Sequence, residues 1–344
     1  MRALVHTAPY VMELQEWPIP EYGPDDLLVR VKACAICGSD IKGYSGKTGR
    51  RQPPIVMGHE AAGIVEAVGE NVTTFAPGDR VTFDSTIYCL HCAYCLTGHY
   101  NLCENRQVLG VSEGTYRRHG AMADYVVVPH WIAVHLPENL SFAQGALVET
   151  TSIGVHAANR LPLQLNDTVA IIGAGAVGLV ALQAIRLKGA GKVIITDLSP
   201  ARLELARRLG ADVTIRADEP NVLSRLREAT GPRGADAVIE AVGIPSTVEM
   251  ALALTRGAGA LALIGNVTPR VEVDLQSIVS REITIYGVCA SNGEIPDCVD
   301  LIAAGRIVVD PLISEYVRLE DGQAVFDRLY RGVEGNIRSV FLFD

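Results

Sequence analysis

Two rhythms of apolar and polar residues divide the chain. Over the first third, short alternating or near-continuous apolar runs recur as RALVHTAP, DLLVRVKACAIC, AAGIVEAVGE and RVTFD, cut by turn residues at Tyr22-Gly23-Pro24 and Ala76-Pro77-Gly78-Asp79. Such runs read as strands, and many at close spacing predict a partly closed barrel or a sandwich. Around Asp167 the period lengthens. An apolar run from Val169 to Ile172 meets a glycine-rich turn, then a helical stretch to about Lys188, then a second strand from Val193 to Thr196. Ser199-Pro200 caps the next helix and Gly210 ends it. ADAVIEAVG, GALALIGN and REITIYGV continue the strand–helix alternation. That alternation predicts an α/β fold with a doubly wound parallel sheet of about six strands. After Ser291 two helical runs remain, CVDLIAAGRI and GQAVFDRLYRG, too few for a domain. The expected organisation is 1–152, a dinucleotide domain 153–290, and a segment 291–344 that packs back on the first third.

The glycine-rich turn carries the first chemistry. Gly173-Ala174-Gly175-Ala176-Val177-Gly178 follows a strand and opens a helix, and Asp197 ends the next strand. Gly173 allows the tight turn, Gly175 lets backbone approach a pyrophosphate, and Gly178 lets helix and strand pack closely. The pyrophosphate meets the free amides of the helix start, so Ala176 and Val177 belong to the site. Asp197 accepts from ribose hydroxyls and repels a 2′-phosphate. No cation at Leu198 or Ser199 compensates, so NAD is expected over NADP. Arg202, Val242, Gly243, Gly265 and Val288 complete the expected cofactor contacts.

The eight cysteines sharpen the picture because four of them crowd together. Cys89, Cys92, Cys95 and Cys103 follow C-x2-C-x2-C-x7-C, the spacing of a closed four-thiolate zinc site that fixes a loop. Upstream, Cys37 and the pair His59-Glu60 offer sulfur, nitrogen and oxygen donors, the set of a zinc site with an open position. By spacing alone, a cysteine and a histidine this far apart serve packing as readily as metal.

Size and charge then exclude classes. With 344 residues, 49% apolar and 20% charged, the chain suits two soluble domains. A net charge of -9 argues against nucleic acid or anionic membrane as partner. No apolar run reaches transmembrane length and no secretory pattern opens the chain, so a cytoplasmic location is expected.

Cys37-Gly38-Ser39-Asp40, Gly58-His59-Glu60, the four-cysteine loop, Glu149 and the GAGAVG turn occur in an order that resembles the medium-chain zinc-dependent alcohol dehydrogenases. Within them the chain is similar to the polyol branch of sorbitol and galactitol dehydrogenases. The resemblance implies a GroES-like β-barrel catalytic domain and a Rossmann domain, with one catalytic and one structural zinc. It places Cys37, His59, Glu60 and Glu149 around the catalytic zinc, leaving open which glutamate binds directly. It implies oxidation of a secondary alcohol of a polyol or sugar derivative to a ketone, with hydride passing to NAD and Ser39 as first proton acceptor–donor. Oxidation of a 3-hydroxy amino acid, as by L-threonine 3-dehydrogenase, is the alternative. Relatives are commonly dimers or tetramers, so a homo-oligomer is expected. Lys42 stands where relatives often have histidine. Lys42, Lys47, Arg50 and Arg51, with Tyr116, Arg117, Arg118 and His119, form a basic set in an acidic chain. Lys42, Tyr116 and Arg117 are the expected substrate contacts, and the set suggests an anionic substrate, a sugar acid or sugar-alcohol phosphate.

Overall fold

A computed structural model of the chain describes residues 1–114 and 116–344. Two compact units emerge: Met1–Glu149 with Ser291–Gly305 and Val309–Asp344, and Thr150–Ala290 with Arg306–Val308.

The first unit is organised on the strand Asp26–Ala35. One edge pairs antiparallel with Glu60–Val68 along almost its whole length. The other edge is shared, Tyr125–Pro129 taking Asp26 to Arg30 and Arg338–Leu342 taking Ala33 to Ala35. Arg80–Phe83 and Ala133–His135 extend the sheet beyond Glu60–Val68, and Ile313–Val317 joins Arg338–Leu342 in parallel, giving seven strands. Leu27, Val29, Val31, Phe83, Tyr44, Phe326 and Phe341 fill one apolar core beneath them. Each large side chain taken fully from water there stabilises the unit by roughly 1.5–3 kcal/mol. Register sets up the chemistry: Ala35 faces Glu60 on one side and Val340 on the other. Cys37, two residues past Ala35, therefore arrives at the sheet end where His59, Glu60 and Arg338 also lie.

The second unit is the predicted parallel sheet. Its spatial order is Val213–Arg216, Lys192–Asp197, Thr168–Ile172, Ala235–Glu240, Thr255–Leu263, Thr284–Gly287. In chain order that is 3-2-1-4-5-6, the dinucleotide-binding arrangement. Ala170, Ile172, Ile194, Val238 and Leu261 are buried in its core, as near-continuous apolar strands covered on both faces require. Helix Pro200–Arg208 begins where the sequence predicts, with Ser199 Oγ accepting from the Arg202 amide and proline in its first turn. Among the described residues no helix is long and apolar enough to cross a membrane.

Candidate active site

Cys37 ends the approach from the central strand and precedes the helix Gly38–Gly43 as its N-cap. Its backbone N–H donates to Asp40 Oδ2 at 3.2 Å, a local loop closure that orients the thiol. His59 and Glu60 open the neighbouring strand. One ligand atom from each of Cys37, His59 and Glu60 lies within 4.8 Å of the other two. Sulfur, nitrogen and oxygen from two segments thus converge as a zinc site with a free position demands. Glu149, in the first turn of helix Val148–Arg160, falls outside that set but is buried and within electrostatic reach of His59 and Glu60.

The charges around this cluster are unbalanced without a cation. Burial pushes the Glu149 carboxyl up to about 7; His59 and a hydrogen bond from Ser85 oppose the rise, and Glu60 and Asp84 add to it. Burial likewise raises Asp84 to about 6 against hydrogen bonds from Thr86 and Ser291. Glu60 differs. Arg338 donates to both of its oxygens, Nε at 3.0 Å and Nη2 at 3.1 Å, a buried bidentate pair. Asp40 is fully buried, yet His59 and Arg51 outweigh the cost of burial and hold its carboxyl below the ordinary range. Its Oδ1 lies 3.5 Å from His59 Nδ1, an ion-pair distance at which the Nδ1 makes no hydrogen bond; with the imidazole on a metal, a small closing of that gap would let the carboxylate orient the ring. Acids raised by burial beside a cysteine sulfur and an imidazole are what a divalent cation would relieve.

The four-cysteine lobe differs in kind. Cys92 and Cys95 sulfurs are 3.5 Å apart, Cys92 and Cys103 3.9 Å, Cys89 and Cys95 4.0 Å. Tetrahedral thiolates around zinc at about 2.3 Å stand about 3.8 Å from one another, so the donors fit that ion with no room for a further ligand. The lobe is tied down by Asn292, whose Oδ1 accepts from the Tyr100 amide at 2.9 Å and whose Nδ2 donates to Gly98 O at 3.0 Å.

In the second unit Gly173 has φ +101 and Gly175 precedes helix Ala176–Leu187 with open space where a Cβ would stand. A Cβ on Gly178 would lie 1.9 Å from Gly173 O, so helix and turn meet only because residue 178 has no side chain. Asp197 Oδ2 accepts from the Ala174 amide at 2.7 Å and Oδ1 from the Ser199 amide at 2.9 Å. That carboxylate braces the turn and keeps lone pairs for a ribose. Gly243 and Gly265 lie against one another: a Cβ on Gly265 would be 2.2 Å from Gly243 N. Close backbone approach between strand ends accounts for both glycines. Val242 packs beside Gly173, the Val288 amide donates to Leu263 O at 3.0 Å, and Arg202 is half-buried.

The basic set separates. Arg51 is buried on Asp40, Arg50 pairs with Glu113 at 3.3 Å, and Arg118 donates to Val127 O at 3.1 Å. Lys42 and Lys47 are exposed on and just after helix Gly38–Gly43. Tyr116 and Arg117 lie on the hairpin strand Tyr116–Arg118, with Arg117 exposed. Sequence reasoning assigned no role to Arg338 or Asp84. Arg338 is 278 residues from Glu60 and no local pattern marks it. Asp40 was named only as part of its motif; the signal that could have given it a role is an acid three residues past a helix N-cap.

Residues 23–138 match the Alcohol dehydrogenase GroES-like domain and residues 176–304 the Zinc-binding dehydrogenase family. Sorbitol dehydrogenase of Bacillus subtilis (strain 168) is 35% identical over 95% of this chain and 93% of its own length. The chain belongs to the zinc-dependent medium-chain alcohol dehydrogenases. It lies in their polyol dehydrogenase branch, as its sequence motifs suggest. L-idonate 5-dehydrogenase of Vitis vinifera is 34% identical over 93% of this chain and 89% of its own. A zinc-binding dehydrogenase from Sinorhizobium meliloti 1021, solved with NADP bound, superposes with a TM-score of 0.92 at 32% identity, covering 99% of both chains.

Proposed function

We propose that this dehydrogenase oxidises a secondary alcohol of a polyol or sugar acid to the ketone, with NAD as hydride acceptor and two zinc ions per chain. The observation that carries the reading is the convergence of Cys37, His59 and Glu60 in a dehydrogenase whose relatives include sorbitol and L-idonate dehydrogenases. When bound, zinc supplies Lewis-acid polarisation of the alcohol oxygen and the nicotinamide takes the hydride. Cys37, His59 and Glu60 would hold the catalytic zinc, with Glu149 beside them, and Cys89, Cys92, Cys95 and Cys103 the structural one. Ser39 takes the alcohol proton and passes its own toward solvent. Asp40 orients His59, and Arg338 holds the Glu60 carboxylate in place through two hydrogen bonds. Gly173, Gly175, Ala176, Val177 and Gly178 receive the pyrophosphate. Asp197 favours NAD, although the Sinorhizobium relative holds NADP, because a carboxylate at the end of the second strand would accept from ribose hydroxyls and repel a 2′-phosphate.

Lys42, Lys47 and Arg117 are the cations left exposed to recognise an anionic substrate, Arg50, Arg51 and Arg118 being engaged within the fold. The 3-hydroxy amino acid alternative is not favoured, the named relatives being polyol and sugar-acid dehydrogenases. A homo-oligomer in the cytoplasm completes the reading. Reduced-nicotinamide absorbance over a panel of neutral polyols, aldonates, sugar-alcohol phosphates and threonine, with NAD and NADP in parallel, tests it. Turnover of a panel member with NAD at least tenfold more efficient than with NADP is expected. Turnover of threonine alone would overturn it.

A further inference from the structure

Arg51 is the one member of the basic set that the fold buries beside the centre. It is 6% exposed, and a single nitrogen does its work: Nη2 donates to Ser39 Oγ at 3.0 Å and to Asp40 Oδ1 at 2.9 Å. Its Nε is buried with no hydrogen-bond partner among the described residues. Room is made by Gly43, where a Cβ would lie 2.3 Å from Arg51 Cδ and 3.1 Å from Nε. Stability alone does not account for this arrangement. A buried ion pair with a wasted donor is commonly matched or bettered by apolar residues of similar volume. What the arrangement secures is geometry. Asp40 already touches both metal-donor segments, accepting from the Cys37 amide at 3.2 Å and standing 3.5 Å from His59 Nδ1.

We propose that Arg51 is a positioning residue for alcohol oxidation, fixing the Ser39 hydroxyl and the Asp40 carboxylate with one guanidinium nitrogen. The inference rests on the alcohol dehydrogenase reading for Ser39; its Asp40 half concerns metal binding alone. A serine hydroxyl has one proton to give and two lone pairs to receive. Arg51 occupies one lone pair. The other is left to accept the proton of the substrate alcohol while Ser39 releases its own toward water, so one proton arrives, one leaves, and the hydroxyl is regenerated. Through Asp40 the same guanidinium keeps a carboxylate 3.5 Å from His59 Nδ1, placed to receive the ring N–H when the imidazole binds metal.

The test compares the wild-type zinc-loaded protein with Arg51→Met, Arg51→Lys and Gly43→Ala, the last crowding the arginine without removing it. In Arg51→Met, kcat falls about 10–100-fold with KM within about twofold, in the range for loss of a group behind the ligands. The solvent deuterium isotope effect on kcat rises, because proton transfer becomes limiting. A chromophoric chelator takes zinc from the mixed-donor centre about tenfold faster, while the four-thiolate zinc is released at the wild-type rate. Arg51→Lys, with the charge on a shorter arm, falls between, and Gly43→Ala shifts in the same direction as Arg51→Met. Folded Arg51→Met with isotope effect, kcat and zinc release all at wild-type values overturns the inference. If the wild type turns over no alcohol while Arg51→Met still loses zinc faster, the oxidation reading fails and the Asp40 positioning stands. If zinc release is also unchanged, both fail.

Discussion

The two sulfur-bearing centres of the first unit are opposites in how they are made. The four-thiolate lobe draws all its donors from residues 89–103, and its sulfurs stand 3.5–4.0 Å apart along the measured pairs. The mixed-donor centre takes Cys37 from one strand end and His59 and Glu60 from the next, with Arg338 arriving from the last strand. A local, homogeneous donor set closes around an ion and stiffens a loop. A dispersed, heterogeneous set leaves a face open, and its acids are unbalanced until something positive occupies it.

Removing one sulfur from each centre should have opposite consequences. Cys37→Ala is expected to lower kcat/KM about 10³-fold or more, on the order of 4 kcal/mol, while melting temperature and the four-thiolate zinc are kept. Cys95→Ala is expected to lose the structural zinc and lower the melting temperature, with turnover per correctly folded molecule much less affected. Parallel kinetics and thermal melts on the two variants check this. Equal effects on stability would erase the distinction.

Arg338 gives the next largest effect. Replacing it by Met leaves the buried Glu60 without its bidentate partner, a change expected to cost about 3–5 kcal/mol, read by denaturant unfolding. A loss under 1 kcal/mol would mean that Glu60 finds another counter-charge.

The acids sharpen the comparison further. Glu149, raised to about 7, holds a proton in the folded state at pH values where the unfolded chain has lost it. With the mixed-donor centre metal-free, stability should therefore fall as pH rises from about 4.5 to 7, by on the order of 3 kcal/mol. Glu149→Gln, or added zinc, should flatten that slope in unfolding curves across the window. Asp236 in the second unit has the reverse sign. Burial opposes its ionisation, but the Thr168 amide and Arg256 outweigh it and depress the pKa. Its stabilisation is present above the unfolded value near 3.8 and lost as pH falls toward the folded one. Asp236→Asn should cost about 1 kcal/mol at pH 7 and nothing at strongly acid pH.

What the sequence disclosed follows the same division between local and dispersed. The parallel sheet was legible because each strand, turn and helix signal sits within a short window: Val169 to Ile172, Gly173 to Gly178, Ser199-Pro200. The four-cysteine lobe was legible for the same reason. The strands Ile313–Val317 and Arg338–Leu342 were not: both are short and partly polar, the second pairs with the strand Asp26–Ala35 some 300 residues earlier, and the first pairs only with the second. With them went Arg338, whose role exists only because Ala35 is flanked by both Glu60 and Val340. Arg51 was visible as a basic residue and pointed toward substrate. Its burial on Asp40 depends on the space at Gly43, which no spacing rule encodes.

Metal analysis of active protein tests the central claim most directly. Wild type is expected to carry two zinc ions per chain and Cys37→Ala one, the remaining ion resisting chelators as a four-thiolate site does. Full activity in a wild-type preparation with one zinc per chain, unchanged in Cys37→Ala, would contradict the account.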